Sequence, residues 1–444
     1  MQSSVPVPAR TPRRAPADLP FHFAERPLAE QLAAEREEPR WLLDERLAAA
    51  DAFASMPVEG NQLYTPYIDL RAANLEDVQP YVLDGPAGLG DDLRDLDLPA
   101  GVHVETMSQW LARDPDGFRA TIESGSTLPT NDKLAMLARG FWSHGRHVQV
   151  DAGVQLAAPI ELRWPSAAPG RALITRTVVS LGEGASAALV EEQVACGPEI
   201  DCAEGQTVPQ GFFHGTTEVV LAAGARLEMA SIQDLPPEQI AFQHRHAAIG
   251  EGASLHWALA QLGGRLVRSR VDNRLEGDWS SVEQVEIVFA GEQQLFDLTS
   301  YTRHLGRDTT GNLLSKGALL DRSRSYMKGL ITIERSAVGT DSFLGEFGMN
   351  LSKAARAVAI PSLEIDQPDC RRAAHSSAVG PIDPGQLFYL ESRGISPDEA
   401  RKFIVLGFLE PVVARVPLES ARDRLRDLLE EKWSAGLVAA AAAA

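Results

Sequence analysis

The chain has 444 residues, of which 44% are hydrophobic and 23% charged, the composition of a globular protein with two or three structural units. Acidic residues outnumber basic ones by 61 to 42, which gives a formal net charge of −19. Nucleic acids and anionic membranes are themselves polyanions, so this charge argues against binding to either of them.

The cysteines and the apolar runs bear on the compartment. Three cysteines, Cys196, Cys202 and Cys370, are too few for a disulfide framework. No apolar run approaches the roughly 18 residues of a membrane helix, and Phe403–Leu409, among the longest, is interrupted by a glycine. Residues 1–20 carry arginines and prolines but no apolar segment, so we expect a disordered tail rather than a secretory signal. Together these features predict a cytoplasmic protein.

Residues 21–145 have helical periodicity between proline-rich connections. The spacing of leucines and alanines predicts a helix over Trp41–Ser55. A second helix is predicted over Asn131–His144, with Asn131 as its N-cap. We therefore expect an N-terminal helical region at 21–145.

The hydrophobic period changes from helical to alternating at about residue 146. Val148 and Val150, and then Ile160 and Leu162, alternate with polar residues, as expected of half-buried strands. Few helical signals interrupt this pattern. We predict a β domain over residues 146–375.

A turn pattern recurs within the β domain. Val179–Ser186, Val220–Arg226 and Ile249–Ser254 each run from an apolar strand through a glycine into a new strand, with weaker echoes at Ala290–Glu292 and Ser315–Ala318. The central glycines are 40 and 28 residues apart (184 to 224 to 252). Such spacings fit the coils of a β-solenoid of variable rung length. Two ordinary packed sheets are the alternative, because glycine turns recur there as well.

Residues 376–444 return to helical patterning with clear start signals. Asp383 is placed as the N-cap of a helix beginning at Pro384, with Gln386 at its third position. Ser396 and Glu399 form a second capping box, which opens a helix over Pro397–Leu409 that ends before Pro411. A last helix is predicted over Leu418–Trp433. These helices either pack on the end of the β domain or form an adaptor for a partner.

Familiar catalytic motifs are missing from the sequence. There is no phosphate-binding G-x-x-x-x-G-K-[ST] loop, so we expect no ATPase activity from this chain alone, and no G-x-S-x-G, C-x-x-C or H-E-x-x-H. Cys196 and Cys202 have poor spacing for a zinc site and are interpreted as structural. His244 and His246 share one face of a predicted strand and could bind metal with His256, although a solvated strand face is the simpler interpretation.

The segment Asp369–Ser377 carries the richest set of candidate ligands. It places the thiol of Cys370 and the imidazole of His375 at the junction between the β domain and the C-terminal helices. Imidazole and thiolate are both ligands for iron. From spacing alone, an inert cysteine and a surface histidine are the simpler explanation of the segment.

At this junction the sequence resembles the SufB/SufD family, subunits of the SUF iron–sulfur cluster assembly complex. The resemblance lies in Ala374–Asp383 (AHSSAVGPID), Gln386–Leu390 (QLFYL) and Ser392–Ile395 (SRGI), and extends to Tyr326–Ile331 and Ser362–Ile365. Ser342–Gly348, where the SufB branch carries a cluster-binding cysteine, has none here. The chain therefore resembles the SufD branch more closely.

The resemblance implies a fold, partners and site residues. The fold is a right-handed parallel β-helix between two helical regions, and the partners are a SufB-like sister subunit and a SufC-like ABC-type ATPase. A homodimer of the isolated chain is an alternative that the sequence leaves open. No tightly bound cofactor is expected. His375, with Cys370 as a second candidate, would meet transient iron or a nascent cluster at the SufB interface, and ATP would act only through the ATPase. The residues assigned to binding the ATPase partner are Asp383, Gln386, Phe388, Tyr389, Arg393, Ser396, Glu399 and Phe403.

Three functional hypotheses follow from the sequence. The leading one is a non-catalytic scaffold subunit of the SUF complex. The second is a β-helix enzyme acting on polysaccharide, although no compact cluster of carboxylates beside an aromatic platform is visible. The third is a free-standing metal-binding protein that uses His244, His246 and His256.

Overall fold

The computed structural model describes residues 19, 21–93, 97–123, 128–195 and 209–442. Cys196 and Cys202 lie outside the described residues, as does the predicted tail at 1–20 apart from Leu19. The interpretation of those two cysteines as structural therefore stays a prediction.

Eighteen strands, numbered in chain order, form two sheets in the described part of the chain. They are β1 (Gln79–Pro80), β2 (Val102–Thr106), β3 (His144–Val150), β4 (Ile160–Pro165), β5 (Arg171–Leu181), β6 (Ser186–Val194), β7 (Phe212–Leu221), β8 (Arg226–Asp234), β9 (Ile240–Ile249), β10 (Ser254–Gln261), β11 (Leu266–Leu275), β12 (Ser281–Ala290), β13 (Leu295–His304), β14 (Thr310–Leu319), β15 (Arg324–Ile333), β16 (Asp341–Asn350), β17 (Arg356–Ile365) and β18 (Arg372–Gly380).

The helices flank this strand region on both sides in sequence. They are α1 (Arg26–Glu35), α2 (Arg40–Ser55), α3 (Met107–Arg113), α4 (Pro115–Glu123), α5 (Lys133–Phe141), α6 (Pro384–Ser392), α7 (Pro397–Val413) and α8 (Glu419–Ala442), with short 3-10 helices at Thr65–Tyr67 and Asp91–Leu93. Mostly β structure between two helical regions is confirmed.

The strand region is a parallel β-solenoid. From β3 onward the odd-numbered strands pair in parallel in one sheet and the even-numbered strands in a second sheet, so each coil contributes one strand to each. The odd-numbered sheet has ten strands, including β1 and β2, and the even-numbered sheet has eight. The predicted solenoid is confirmed, and the alternative of two ordinary packed sheets is wrong.

The predicted glycine turns form one corner of the solenoid. Gly184, Gly224 and Gly252 have φ of 64°, 67° and 62°, in the left-handed region that glycine enters without steric cost. The amide of each donates to a carbonyl of the next coil, Gly184 to Ala223 and Gly224 to Glu251. Of the weaker echoes, Ala290–Glu292 is a turn with Glu292 at φ 51°, whereas Ser315–Ala318 lies inside β14 and was wrongly interpreted as a turn.

The two helical regions cover opposite sheets. Helices α1, α2 and α5 pack with apolar residues of the odd-numbered sheet such as Phe212 and Phe242. Helices α7 and α8 bury Val405, Leu409 and Leu425 against the even-numbered sheet. The C-terminal helices therefore pack along the side of the solenoid, not on its end.

Several predicted boundaries differ from the structure. The helix expected at Asn131–His144 is α5, and its N-cap is Asp132, whose carboxylate accepts from the amide of Ala135. Helix α7 continues through Pro411 because Val412 and Val413 beyond it are buried against the solenoid, and α8 runs past Trp433 to Ala442. The β domain continues past residue 375, since β18 ends at Gly380.

Candidate functional site

The last coil of the solenoid, formed by β17 and β18, is its open end. In the order of pairing, β17 and β18 are the terminal strands of the two sheets. Every residue of β18 is exposed or half-buried, whereas every residue of β9, in the middle of the solenoid, is buried. A strand with one unpaired edge presents free amides and carbonyls that can pair with another chain.

His375 lies in the middle of β18 and is exposed. It pairs in register with Leu344 of β16, whose side chain is fully buried in the lumen of the solenoid. Paired residues of neighbouring parallel strands point to the same face, so His375 belongs to the lumen face of its strand. It is accessible because no further coil covers this end within the described chain. An imidazole at this position can meet a group held by a docking partner.

Cys370 lies in the turn before β18 rather than beside His375 on the strand. Its free thiol is half-buried and packs against an apolar cluster that includes Ile331, Ile333 and Leu344. A cysteine in such surroundings behaves as a small hydrophobic residue. The structure therefore supports packing for Cys370 and places only His375 on the exposed strand face.

A buried carboxyl that the sequence analysis did not single out lies under this open end. Glu346 of β16 is 1% exposed, and one of its oxygens accepts a hydrogen bond of 2.7 Å from the amide of Ile360 in β17. Burial raises the pKa of Glu346 to about 8. Glu346 lies in the stretch Ser342–Gly348. A lone glutamate among apolar residues and glycines was the one sequence signal that could have indicated a buried carboxyl.

A buried ionic cluster lies on the outer face of the odd-numbered sheet. The ammonium of Lys328 is 2.5 Å from Asp297, and Arg268 lies 3.4 Å from Asp297 and 3.5 Å from Glu59. Tyr64 packs over Lys328, whose ammonium lies 5.7 Å from its ring centroid. Glu59 and Tyr64 come from the N-terminal region, so the cluster joins that region to the late coils of the solenoid.

The predicted partner-binding residues lie on an accessible surface. Helix α6 buries none of its residues, and Phe388, Tyr389 and Phe403 are 73%, 58% and 64% exposed. The caps are formed as predicted: Asp383 accepts from the amide of Gly385, and Ser396 and Glu399 form a reciprocal capping box. Gln386 and Arg393 are both exposed, and the first cap is made by Asp383 without a reciprocal bond from Gln386.

The fold places His256 apart from His244 and His246, the other two histidines proposed for metal binding. His244 and His246 are buried on β9, so the expected solvated strand face is wrong, while His256 is exposed on β10 in the other sheet. Nε2 of His244 lies 2.5 Å from Asp272, so an acid that the sequence did not reveal is adjacent. Burial lowers the pKa of His246 to about 4. The three residues form no common site.

Within the described part of the chain, no group of three or more His, Cys, Asp or Glu side chains is arranged to hold a metal ion. No helix within the same residues is long and apolar enough to cross a membrane.

Comparisons with known proteins bear on the family. Residues 165–408 match the family model described as SUF system FeS cluster assembly, SufBD core domain. An iron–sulfur cluster assembly SufBD family protein of Mycobacterium bovis is 30% identical, covering 69% of this chain and 75% of that protein.

Named relatives come from both branches of the family. The iron–sulfur cluster assembly protein SufD of Bacillus subtilis is 27% identical over 68% of this chain and 67% of that protein. The SufB of the same organism is 24% identical over 89% of this chain and 90% of that protein. The chain belongs to the SufB/SufD family of the SUF system of iron–sulfur cluster assembly.

Proposed function

We propose that this chain is a SufD-like, non-catalytic scaffold subunit that acts with a SufB-like sister subunit and a SufC-like ATPase. The observation that carries the proposal is the open end of the solenoid, where an exposed histidine lies on a strand with a free edge. The absence of cysteine in Ser342–Gly348 supports the SufD branch.

The sister subunit would dock on the last coil. The free edge of β18 can extend a sheet into another chain through backbone hydrogen bonds. Exposed Val379 and Ile365, which are 41% and 45% exposed, add apolar surface on the two terminal strands. A second β-solenoid with a matching open end satisfies both requirements.

At this interface His375 would contact iron or a nascent cluster, which is the cargo of the assembly and not a resident cofactor. A neutral imidazole adds no negative charge and binds iron less tightly than a thiolate, which suits release to an acceptor. Cys370 packs into the apolar cluster and is the weaker candidate.

The experiment replaces His375 with alanine in the co-expressed complex. We expect the complex to assemble with normal ATPase activity, while cluster formation in cells falls on the order of tenfold or more. His256→Ala, which removes an exposed histidine from another coil, is the matched control. Normal cluster maturation in His375→Ala would overturn the ligand role, and loss of the complex would assign the residue to docking. Cys370→Ser is expected to have a smaller effect.

The ATPase would dock on α6 and the start of α7, hereafter the aromatic helix pair. Three large aromatic side chains exposed on two neighbouring helices are typical anchors for a partner. ATP would act only through this partner, because the chain has no phosphate-binding loop. The purified chain alone should therefore show no ATPase activity, and turnover free of contaminating ATPase would contradict this.

Point substitutions test this docking better than truncation. Deleting residues 384–444 would uncover the apolar outer face of the even-numbered sheet, because α7 and α8 bury Ile232 and Ile287 there. Phe388→Ser together with Phe403→Ser should abolish co-purification of the ATPase and leave the melting temperature unchanged. The control is Leu63→Ser, which removes an exposed apolar side chain elsewhere. Retained ATPase binding in the double variant would overturn this assignment.

A further inference from the structure

A pocket at the first coils of the solenoid, far along the chain from His375, has the chemistry of a ligand site. It lies between the N-terminal region and strands β3 and β4 and has a volume of about 230 Å³. Apolar side chains form much of its wall, among them Leu89, Met107, Trp142 and Trp164. Leu83, which is 59% exposed, lines its solvent side. Its size suits a molecule smaller than a drug-sized ligand.

The polar groups of this pocket are cationic or neutral. Arg36, His144 and Arg146 line it together with the hydroxyls of Thr106 and Ser108. Within the described part of the chain, the lining includes no carboxylate. Burial, and then the nearby charge of Arg36, lower the pKa of His144 to about 4, so His144 is neutral at pH 7.

Arg36 lines this pocket without a described carboxylate partner. One of its terminal nitrogens donates to the carbonyl of Val82 at 2.6 Å, but no described carboxylate lies within salt-bridge distance of it. Two acids act on Arg36 through space: Glu38 is already held by Arg46 through two hydrogen bonds of 2.7 Å, and Glu35 is exposed. Burial and the charge of Arg46 lower the pKa of Arg36 to about 10. Arg36 is half-buried, and a guanidinium that is partly removed from water without a paired carboxylate is destabilising, so a bound anion would relieve that cost.

Two buried donors here are also unsatisfied. Nε of Arg36 and Nε1 of Trp142 have no hydrogen-bond partner within the described residues. Buried donors normally find a partner, and exceptions commonly indicate a bound water or ion. The guanidinium of Arg36 also lies 5.6 Å from the centroid of the Trp142 ring, so the charge and the aromatic wall are adjacent.

We propose that this pocket binds a small organic anion, a carboxylate with an apolar body of a few carbon atoms. The carboxylate would pair with Arg36, and the apolar body would lie against Met107, Trp142 and Trp164. Because the ligand would touch both the N-terminal region and the first coils, binding would stabilise their junction. The proposal is independent of the assembly role argued above.

The experiment measures binding of benzoate to the full chain by calorimetry and by thermal shift, with benzamide as the neutral analogue. We expect benzoate to bind in the millimolar range or tighter and benzamide to bind on the order of tenfold more weakly, since the charged group is what Arg36 recognises. Arg36→Met should weaken benzoate to the level of benzamide. Arg40→Met, which removes an exposed arginine paired with Asp44, is the matched control and should not change binding.

A second variant keeps the test decisive if Arg36→Met folds poorly. Ser108 is exposed and lines the pocket, so Ser108→Trp should block it without removing a buried contact, and benzoate binding should be lost. Benzoate binding that survives both substitutions, or no benzoate binding at millimolar concentration, would overturn the proposal. Equal affinity for inorganic phosphate and benzoate would overturn the proposal that the ligand carries an apolar body.

Discussion

The two ends of the solenoid differ in backbone pairing and in exposure. At the first end, β2 pairs antiparallel with β3 and seals the odd-numbered sheet, and the side chains of β3 are buried or half-buried. His147 of β3 lies under Trp110 of α3 with 3.5 Å between ring centroids. At the last end, β18 has no described strand beyond it, and His375 is exposed.

This difference shows at which end of the solenoid the chain covers its own strand edge. An exposed strand edge invites uncontrolled pairing, and proteins commonly cover or disrupt it. Strand β2 of the N-terminal region covers the first end of the odd-numbered sheet, whereas the C-terminal helices pack along the side of the solenoid and leave its last end uncovered. An edge left uncovered beside a histidine is consistent with docking of a second solenoid there.

The largest expected difference in unfolding free energy is between a substitution in a central coil and one at the open end. Trp257 of β10 is fully buried in the lumen and donates to Asn273 at 3.0 Å. Trp257→Ala should lower the free energy of unfolding by about 3–5 kcal/mol through lost packing and an unpaired amide. His375→Ala should change it by less than about 0.5 kcal/mol, because that side chain is exposed. Urea unfolding measures both values, and equal losses would show that the open end is packed in the isolated chain.

The pH dependence of stability tests the carboxyl under the open end. The pKa of Glu346 is raised from 4.5 to about 8, so the folded state binds more protons than the unfolded state between these values. The free energy of unfolding should therefore fall as the pH rises from about 4.5 to 8. Glu346→Gln removes the cost of burying an ionised carboxylate. The variant should be more stable than the natural chain by about 2–4 kcal/mol at pH 9, and this difference should vanish near pH 4.

Urea unfolding at several pH values measures this effect. Gln can still accept the hydrogen bond from the amide of Ile360, so packing is kept. Glu364→Gln, at an exposed position of β17, is the control and should show no such pH-dependent gain. A constant difference between Glu346→Gln and the natural chain at all pH values would contradict the prediction.

The solenoid corner offers paired substitutions of opposite sign. Gly252 has a φ of 62° and open space around it, so Gly252→Ala should cost about 1 kcal/mol through backbone strain alone. Trp279 occupies the equivalent corner with a φ of 57° and is 61% exposed, so Trp279→Gly should gain up to about 1 kcal/mol. Thermal unfolding measures both changes. Destabilisation by Trp279→Gly would reveal a packing role for that ring.

The smallest expected effect concerns the aromatic helix pair. Asp383→Ala removes the N-cap of α6, which is worth about 1 kcal/mol to the helix itself. Because α6 buries no residue, the global unfolding transition should stay within about 0.5 kcal/mol of the natural chain. Hydrogen exchange should accelerate in the amides of α6 and stay unchanged in β9. A large global loss would mean that α6 packs on the solenoid.

Local features of the sequence determined the class of fold. The change from helical to alternating periodicity placed the strand region, and the repeated glycine turns predicted the solenoid, because only glycine reaches that corner conformation cheaply. The capping box at Ser396 fixed where α7 begins, since a side-chain cap is formed by residues three positions apart. The family followed from the residues around His375.

Tertiary structure decided what the local pattern could not. Helix α7 passes Pro411 because Val412 and Val413 are buried in an apolar cluster with residues of β6, β8, β10 and β12, which lie more than 100 residues earlier in the chain. Cys370 and His375, five residues apart, separate into a packed turn and an exposed strand face, since burial depends on which coil covers them. The protonated state of Glu346 and the unpaired charge of Arg36 depend likewise on neighbours brought together by folding. Long-range burial leaves no periodic signal, so these features were not predictable from sequence.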